Sequence, residues 1–178
     1  SDYYDTLITD FSDALFAITA PTPAVTLTTP NGGELWATGT NQYIYWTSTN
    51  VTNVMLEYST DGGVIWNTII ASTLASNGYY YWTIPNTPSS NCKIRISDAA
   101  NTALNDVSIN TFSIVLPSVI VTSPNGGESW MASSYYYIYY QSFGISSFVK
   151  IDYSINGGSS WTNIVNGASN SGSYYWYV

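Results

Sequence analysis

One sequence, about ninety-four residues long, is used twice in this chain, and any fold proposed for it must accommodate both copies. VTLTTPNGGELWATGTNQYIYW, residues 25 to 46, returns as VIVTSPNGGESWMASSYYYIYY, residues 119 to 140. The match aligns Asn31, Gly32, Gly33, Glu34, Trp36, Tyr43 and Ile44 with Asn125, Gly126, Gly127, Glu128, Trp130, Tyr137 and Ile138. It continues as LEYSTDGGVIW against IDYSINGGSSW, and it closes with GYYYWTI against GSYYWYV, which pairs Trp82 with Trp176. A repeat of this kind decides the architecture before any single element does.

The repeat also places the ends of the chain within a unit. SDYYDTLITDFSDALFAITAP, from Ser1 to Pro21, aligns with SDAANTALNDVSINTFSIVLP, from Ser97 to Pro117, so the chain is expected to open with the tail of a preceding unit. Val178 corresponds to Ile84, so no counterpart of PNTPSSNCKIRI or of the closing strand follows in the second copy. The expected division is therefore a closing strand or donor strand over 1–23, a complete unit over 24–117 and an incomplete one over 118–178. Two readings are open: a window on a longer array, or a subunit whose last strand comes from another molecule.

Short runs rich in Val, Ile, Thr, Tyr and Trp, parted by Gly, Pro and Asn clusters, predict an all-β sandwich, and no segment has helical periodicity. Strands are predicted near 24–29, 41–47, 53–59, 65–71, 78–84, 91–97 and 108–116, about seven per unit, which is the size and count of an immunoglobulin-like or fibronectin-III-like fold. Alternation along a strand puts Val54, Leu56 and Tyr58 on the core face and Met55 and Glu57 on the other. It likewise sends Cys92, Ile94 and Ile96 inward and Lys93 and Arg95 outward. Trp36, Trp46, Trp66 and Trp82 are expected to fill the space between two sheets.

The glycines belong to turns. Asn31, Gly32 and Gly33, and their copies Asn125, Gly126 and Gly127, form a tight corner, with Glu34 and Glu128 as ion ligands only in second place. Asp61, Gly62 and Gly63, and Asn156, Gly157 and Gly158, form hairpins that tolerate positive φ. Ser59, Asp61, Gly63 and Trp66 resemble the Asp-box hairpin of sialidases. Copies about 95 residues apart are too distant for propeller blades of roughly 40 to 50 residues, and a propeller is rejected.

Composition narrows the chemistry. Charged residues make up 8% of the chain, far below the usual share of about 25%. With 3 Lys and Arg against 11 Asp and Glu, the net charge of −8 argues against nucleic acid and anionic membranes as partners. No apolar run is long enough to span a bilayer. The chain contains no His, so no Ser-His-Asp or Cys-His arrangement can form. Carboxylate pairs such as Glu57 with Asp61, or Asp98 with Asp106, fit turns and outward strand positions better than catalysis, and no enzyme is expected. Cys92, the one cysteine, is read as a buried structural thiol.

No cofactor is expected. Asp2, Asp5, Asp10, Asp13, Asp98 and Asp106 are read first as solvated acidic residues and second as calcium ligands, since no DxDxDG loop occurs. Asn50 in NVT is a glycosylation acceptor by pattern alone.

Tyr135, Tyr136, Tyr137, Tyr139 and Tyr140 share one strand, so at least two must face outward. They are read as a cross-strand ladder, a subunit contact or a glycan platform. Candidate contact residues are therefore Tyr135, Tyr137, Tyr139 and Tyr140, together with Phe11, Leu15, Phe16 and Ile18 on the N-terminal segment.

Taken together, residues 25 to 69 and YWTIPNTPSSNCKIRISDAAN resemble the tandem Ig-like repeats of large bacterial secreted and surface proteins, and more distantly the KNH-like Ig domains of fungal cell-wall proteins. The resemblance implies an extracellular, secreted or cell-surface setting. It also implies a structural role as stalk, adhesin or filament, through self-association or contact with neighbouring repeats and without membrane insertion. The alternative it leaves is a carbohydrate-binding module with surface glycans as partners.

Overall fold

The computed structural model describes residues 12–145 and 147–178. In the first repeat, β1 (Ala24–Thr29), β3 (Asn41–Thr49) and β6 (Tyr79–Thr83) form an antiparallel sheet in the order β1-β3-β6. The facing sheet is built from β2 (Leu35–Ala37), β4 (Asn53–Ser59), β5 (Asn67–Leu74), β7 (Ser89–Asp98) and β9 (Phe112–Val115). Its order is β2-β9-β7-β4-β5, with β8 (Asn105–Val107) lying beside β7. Every pairing is antiparallel except β2 with β9, which is parallel.

This strand order is that of an immunoglobulin- or fibronectin-III-like sandwich: all-β, with two sheets facing each other across one core. The predicted boundaries of β1 and β4 match at both ends, while β3, β5, β6, β7 and β9 differ by up to four residues, most of all at the late start of β9. The first repeat holds nine strands rather than seven, because β2 and β8 are three-residue pieces with no pattern of their own.

Pleat alternation builds the core. Val25, Leu27, Ile44, Trp46, Trp82 and Ile84 meet Trp36, Val54, Leu56, Cys92, Ile94, Ile96, Phe112 and Ile114 from the other sheet. Each such side chain contributes about 1.5–3 kcal/mol by leaving water. Trp36 lies edge-on to Trp82 and tilted against Phe112, at centroid distances of 6.2 and 4.8 Å. Trp46 carries its polar atom inward and donates Nε1–H to the carbonyl of Ala75, in the 3-10 turn Ala75–Asn77. Burial raises the pKa of the Cys92 thiol.

Trp66 corrects the expectation that all four tryptophans are internal. It follows the hairpin turn onto the outside of the second sheet, and the Arg95 guanidinium sits 4.4 Å from the centre of its ring. Glu57, on the same outer face, is nevertheless only 8% exposed because Arg95 covers it.

The second repeat supplies β10 (Ser118–Ser123), β11 (Tyr135–Phe143) and β14 (Ser173–Tyr177) as one sheet, and β12 (Phe148–Tyr153) with β13 (Thr162–Ser169) as another. The registers repeat those of the first unit, down to a bulge between Val121 and Ser123 that matches the one between Leu27 and Thr29. Only Leu116 and Pro117 separate β9 from β10. Among the described residues no helix is long and apolar enough to cross a membrane.

Candidate functional site

Three repeated features and one difference between the repeats carry the functional content. The first feature is the PNGGE corner. The Glu34 carboxylate accepts the backbone N–H groups of Asn31 and Gly32 at 2.8 and 2.9 Å, and Glu128 does the same for Asn125 and Gly126 at 2.8 Å each. Hydrogen bonding from the Asn125 N–H, foremost, holds the Glu128 carboxyl below its ordinary pKa. Both glutamates therefore spend their oxygens on closing the turn.

The hairpin that resembles an Asp-box is the second feature. Ser59 Oγ donates to Asp61 Oδ1 at 2.6 Å, while Asp61 accepts the N–H groups of Val64 and Ile65 and Ser59 accepts that of Gly63. The Ser59 hydroxyl, then the Ile65 N–H, lower the Asp61 pKa. The second copy keeps the scheme with a neutral residue: Ser154 donates to Asn156, which accepts the N–H of Ser160.

The carboxylates paired from sequence each have a bonding partner of their own. Glu57 is bound to Arg95, Asp61 to its turn, Asp106 to the N–H of Leu27 at 2.8 Å, and Asp98 to the N–H of Ala100. Among the described residues no three metal-ligating side chains converge.

Tyrosine rows are the third feature, one on the outer face of each three-stranded sheet. In the first repeat Tyr43, Tyr45, Tyr79 and Tyr81 form a half-exposed cluster, with Tyr43 and Tyr45 stacked at 5.6 Å and 22°. In the second, Tyr137 and Tyr139 repeat that stack at the same distance and angle, and Tyr135 lies against Tyr175 at 4.8 Å and 14°. The remaining contacts in the two rows are tilted or edge-on, so each ring packs against at least one neighbour. Tyr140, expected with the exposed row, points inward at 5% exposure and donates its hydroxyl to the Ser169 carbonyl, because the pleat puts it on the face of Ile138.

The difference is what covers the inner faces. Val25 and Leu27 are buried in the first repeat, whereas their copies Val119 and Val121 are 49% and 46% exposed. Trp130, Ile138, Ile151, Tyr153, Trp161 and Trp176 line an apolar groove between the two sheets of the second repeat. In the first repeat that space holds β7 and β9. Leu35–Ala37 is a strand because β9 pairs with it, whereas Ser129–Met131, its copy, has no such partner among the described residues and is not a strand. Trp130 instead lies flat on Tyr136, with centroids 4.7 Å apart and planes within 2°.

This groove escaped the list of candidate residues drawn from the sequence. The signal lay in the repeat itself, since Trp130, Ile138, Ile151 and Trp176 align with the buried Trp36, Ile44, Leu56 and Trp82.

On the N-terminal segment, Leu15, Phe16 and Ile18 are exposed large apolar side chains on extended chain. Phe11 lies outside the described residues. The Asn50 side-chain amide donates to the carbonyl of Pro21, which fixes the end of this segment beside the turn between β3 and β4.

No known protein-family profile matches the chain, and no curated protein matches it. Among solved structures it is similar to the fibronectin(III)-like modules of Clostridium thermocellum CbhA, at 16% identity and a TM-score of 0.33 over 86% of this chain and 78% of that one. The strand order supports an Ig- or fibronectin-III-like sandwich, and nothing in the comparisons singles out the KNH-like domains.

Proposed function

We propose that this chain is an extracellular structural protein whose β-sandwich repeats, joined end to end, form a rigid stalk, adhesin or filament. The observation that carries the reading is the junction. Two residues, one of them proline, link β9 to β10, and such a link has few conformations to explore. The repeats also touch there: Gly144, at φ 65°, has no room for a side chain, since a Cβ would fall 2.2 Å from that of Ala37.

The composition of the surface also supports a setting outside the cell. It carries little charge and is rich in hydroxyls and amides, and its one thiol is buried. Asn50 is exposed, which leaves its sequon open to a sugar.

The rival reading, a carbohydrate-binding module, draws on the same tyrosine rows. Stacking on sugars uses open ring faces, and here every ring of the rows packs against a neighbouring ring across or along the strands, which favours a ladder that stiffens each sheet. Titration of the chain against cell-wall glycans checks this reading, and saturable binding would restore it.

Immunogold labelling of intact producing cells tests the structural role. Label along surface threads or a surface layer is the expected result. Label confined to the cell interior would overturn the proposal.

A further inference from the structure

We infer that the tyrosine rows are sites of oxidative cross-linking, at which Tyr43 couples to Tyr81, and Tyr137 to Tyr175, through a carbon–carbon bond between their rings. The members of each pair stand directly opposite each other on neighbouring strands, β3 with β6 and β11 with β14. Their ring centroids are 4.8 Å apart at 47° in the first repeat and 4.6 Å apart at 37° in the second. Tyr137 and Tyr175 are the copies of Tyr43 and Tyr81, so both repeats keep the pair in residue type and in geometry.

Geometry separates these pairs from the other contacts in the rows. Coupling two phenol rings at the carbons beside their hydroxyls sets the centroids two ring radii and one carbon–carbon bond apart, about 4.3 Å, with the ring planes twisted. Both pairs lie close to that separation and are already twisted. Tyr43 with Tyr45, and Tyr137 with Tyr139, are near-parallel stacks at 5.6 Å and 22°, which turn ring faces rather than ring edges toward each other. Tyr45 and Tyr79 stand opposite each other but 6.3 Å apart. Tyr135 and Tyr177 add one more fitting pair in the second repeat, at 4.8 Å and 54°, where the first repeat has Asn41 and Thr83.

The rings are open to an oxidant, with Tyr43, Tyr81, Tyr137 and Tyr175 between 44% and 54% exposed. The Cys92 thiol, which would otherwise compete for it, is sealed in the core. In the reaction each tyrosine gives one electron to the oxidant and its phenolic proton to water, leaving a phenoxyl radical with spin on the carbons beside the oxygen. Two such radicals join at those carbons. Each ring then passes the hydrogen of its joined carbon to its own oxygen, so both hydroxyls are restored. The oxidant is hydrogen peroxide acting through a haem peroxidase, and it is reduced to two waters as the pair loses two hydrogen atoms. Its supply rests on the extracellular setting proposed above. Because each ring already faces its partner, coupling within a chain outruns coupling between chains. The new bond ties strand β6 or β14 to its sheet and closes the intervening chain into a loop, which constrains the unfolded state as a disulfide does.

The test treats the 178-residue chain, at low concentration, with a haem peroxidase and hydrogen peroxide. Dityrosine fluorescence should rise while the chain stays monomeric on a denaturing gel, and its mass should fall by the hydrogen atoms lost. Peptides released by pepsin should join Tyr43 to Tyr81 and Tyr137 to Tyr175, and the cross-linked chain should have the higher Tm. Tyr81→Phe, which keeps the ring and loses the hydroxyl, should lower the yield of the first link at least ~10-fold and leave the second repeat unchanged, whereas Tyr45→Phe should leave both links in place. Links between chains only, links between the stacked rings of one strand, a first link that survives Tyr81→Phe, or no dityrosine at all would each overturn the proposal. The reaction needs no cell, so it can fail while surface labelling succeeds, and the reverse.

Discussion

Arg95 and Glu57 face each other across β7 and β4, with Arg95 Nη2 and Nε 2.7 and 2.8 Å from the same carboxylate oxygen, and the far side of the guanidinium rests on Trp66. Three side chains on the outside of the sheet thus shut one another off from water. Removing Arg95 strands a carboxylate that is 11% exposed at its side chain. Arg95→Ala is expected to destabilise the chain by about 2 kcal/mol, and Glu57→Gln by less than about 1 kcal/mol, because an unpaired buried charge costs more than a lost one. Urea denaturation of both variants checks the order; equal losses would deny that burial sets the cost.

Asp61 makes its hairpin acid-sensitive in a way that the matching hairpin at Asn156 is not. Its folded pKa is lowered, chiefly by the Ser59 hydroxyl and then by the Ile65 N–H. The stability this contributes is fully present above the ordinary Asp value near ~3.9 and is lost as pH falls through the lower folded value. Asp61→Asn, which copies Asn156, should leave Tm at neutral pH nearly unchanged and flatten its fall in acid. Glu128 and Asp152, also lowered by the Asn125 N–H and by Lys150 respectively, keep some acid slope in the variant. Parallel Tm curves for the two proteins would contradict the assignment.

Two tryptophans that look alike in the sequence should behave oppositely. Trp36→Ala opens a cavity between the sheets and should cost about 3–5 kcal/mol. Trp66→Ala removes one face of a half-buried stack on the outside of the sheet and should cost about 1 kcal/mol. Thermal denaturation of the pair provides the comparison.

The PNGGE corners offer a matched experiment on crowding. Gly32 and Gly126 have φ of 127° and 117°, so alanine strains both. Only Gly32 is also hemmed in, since a Cβ there would lie 2.3 Å from that of Asn110 and 3.1 Å from its Cα. Gly32→Ala should therefore lose at least ~1 kcal/mol more than Gly126→Ala. Hydrogen exchange at Gly33 and Gly127 localises each effect.

What could be read from the residues was whatever rests on local pattern. Cys92-Lys93-Ile94-Arg95-Ile96 alternates strictly, and the structure buries one set and leaves the other half-buried on the outer face. The PNGGE and Asp-box turns are short-range hydrogen-bond schemes, and their residues sit where expected. The misses are long-range. Leu35–Ala37 is a strand only through a partner some eighty residues away, and Asn105–Val107 only because β7 lies beside it. Trp66 and Trp82 both follow strand patterns, but the turn at Asp61–Gly63 sets the side of the sheet on which the first one lands. Tyr140 was grouped with its neighbours by composition, and a single step of the pleat removed it from the row. An incomplete second unit is legible from the repeat, but the side chains that line its groove are core sequence, and core sequence looks the same whether or not anything covers it.

The parallel patch of β2 and β9 has a mechanical consequence. Tension applied through the two ends of the first repeat pulls β2 toward its N-terminus and β9 toward its C-terminus, sliding the strands past each other along their length. Bonds loaded in shear must break together, whereas bonds at a peeling edge break one after another, so three residue pairs resist extension out of proportion to their number.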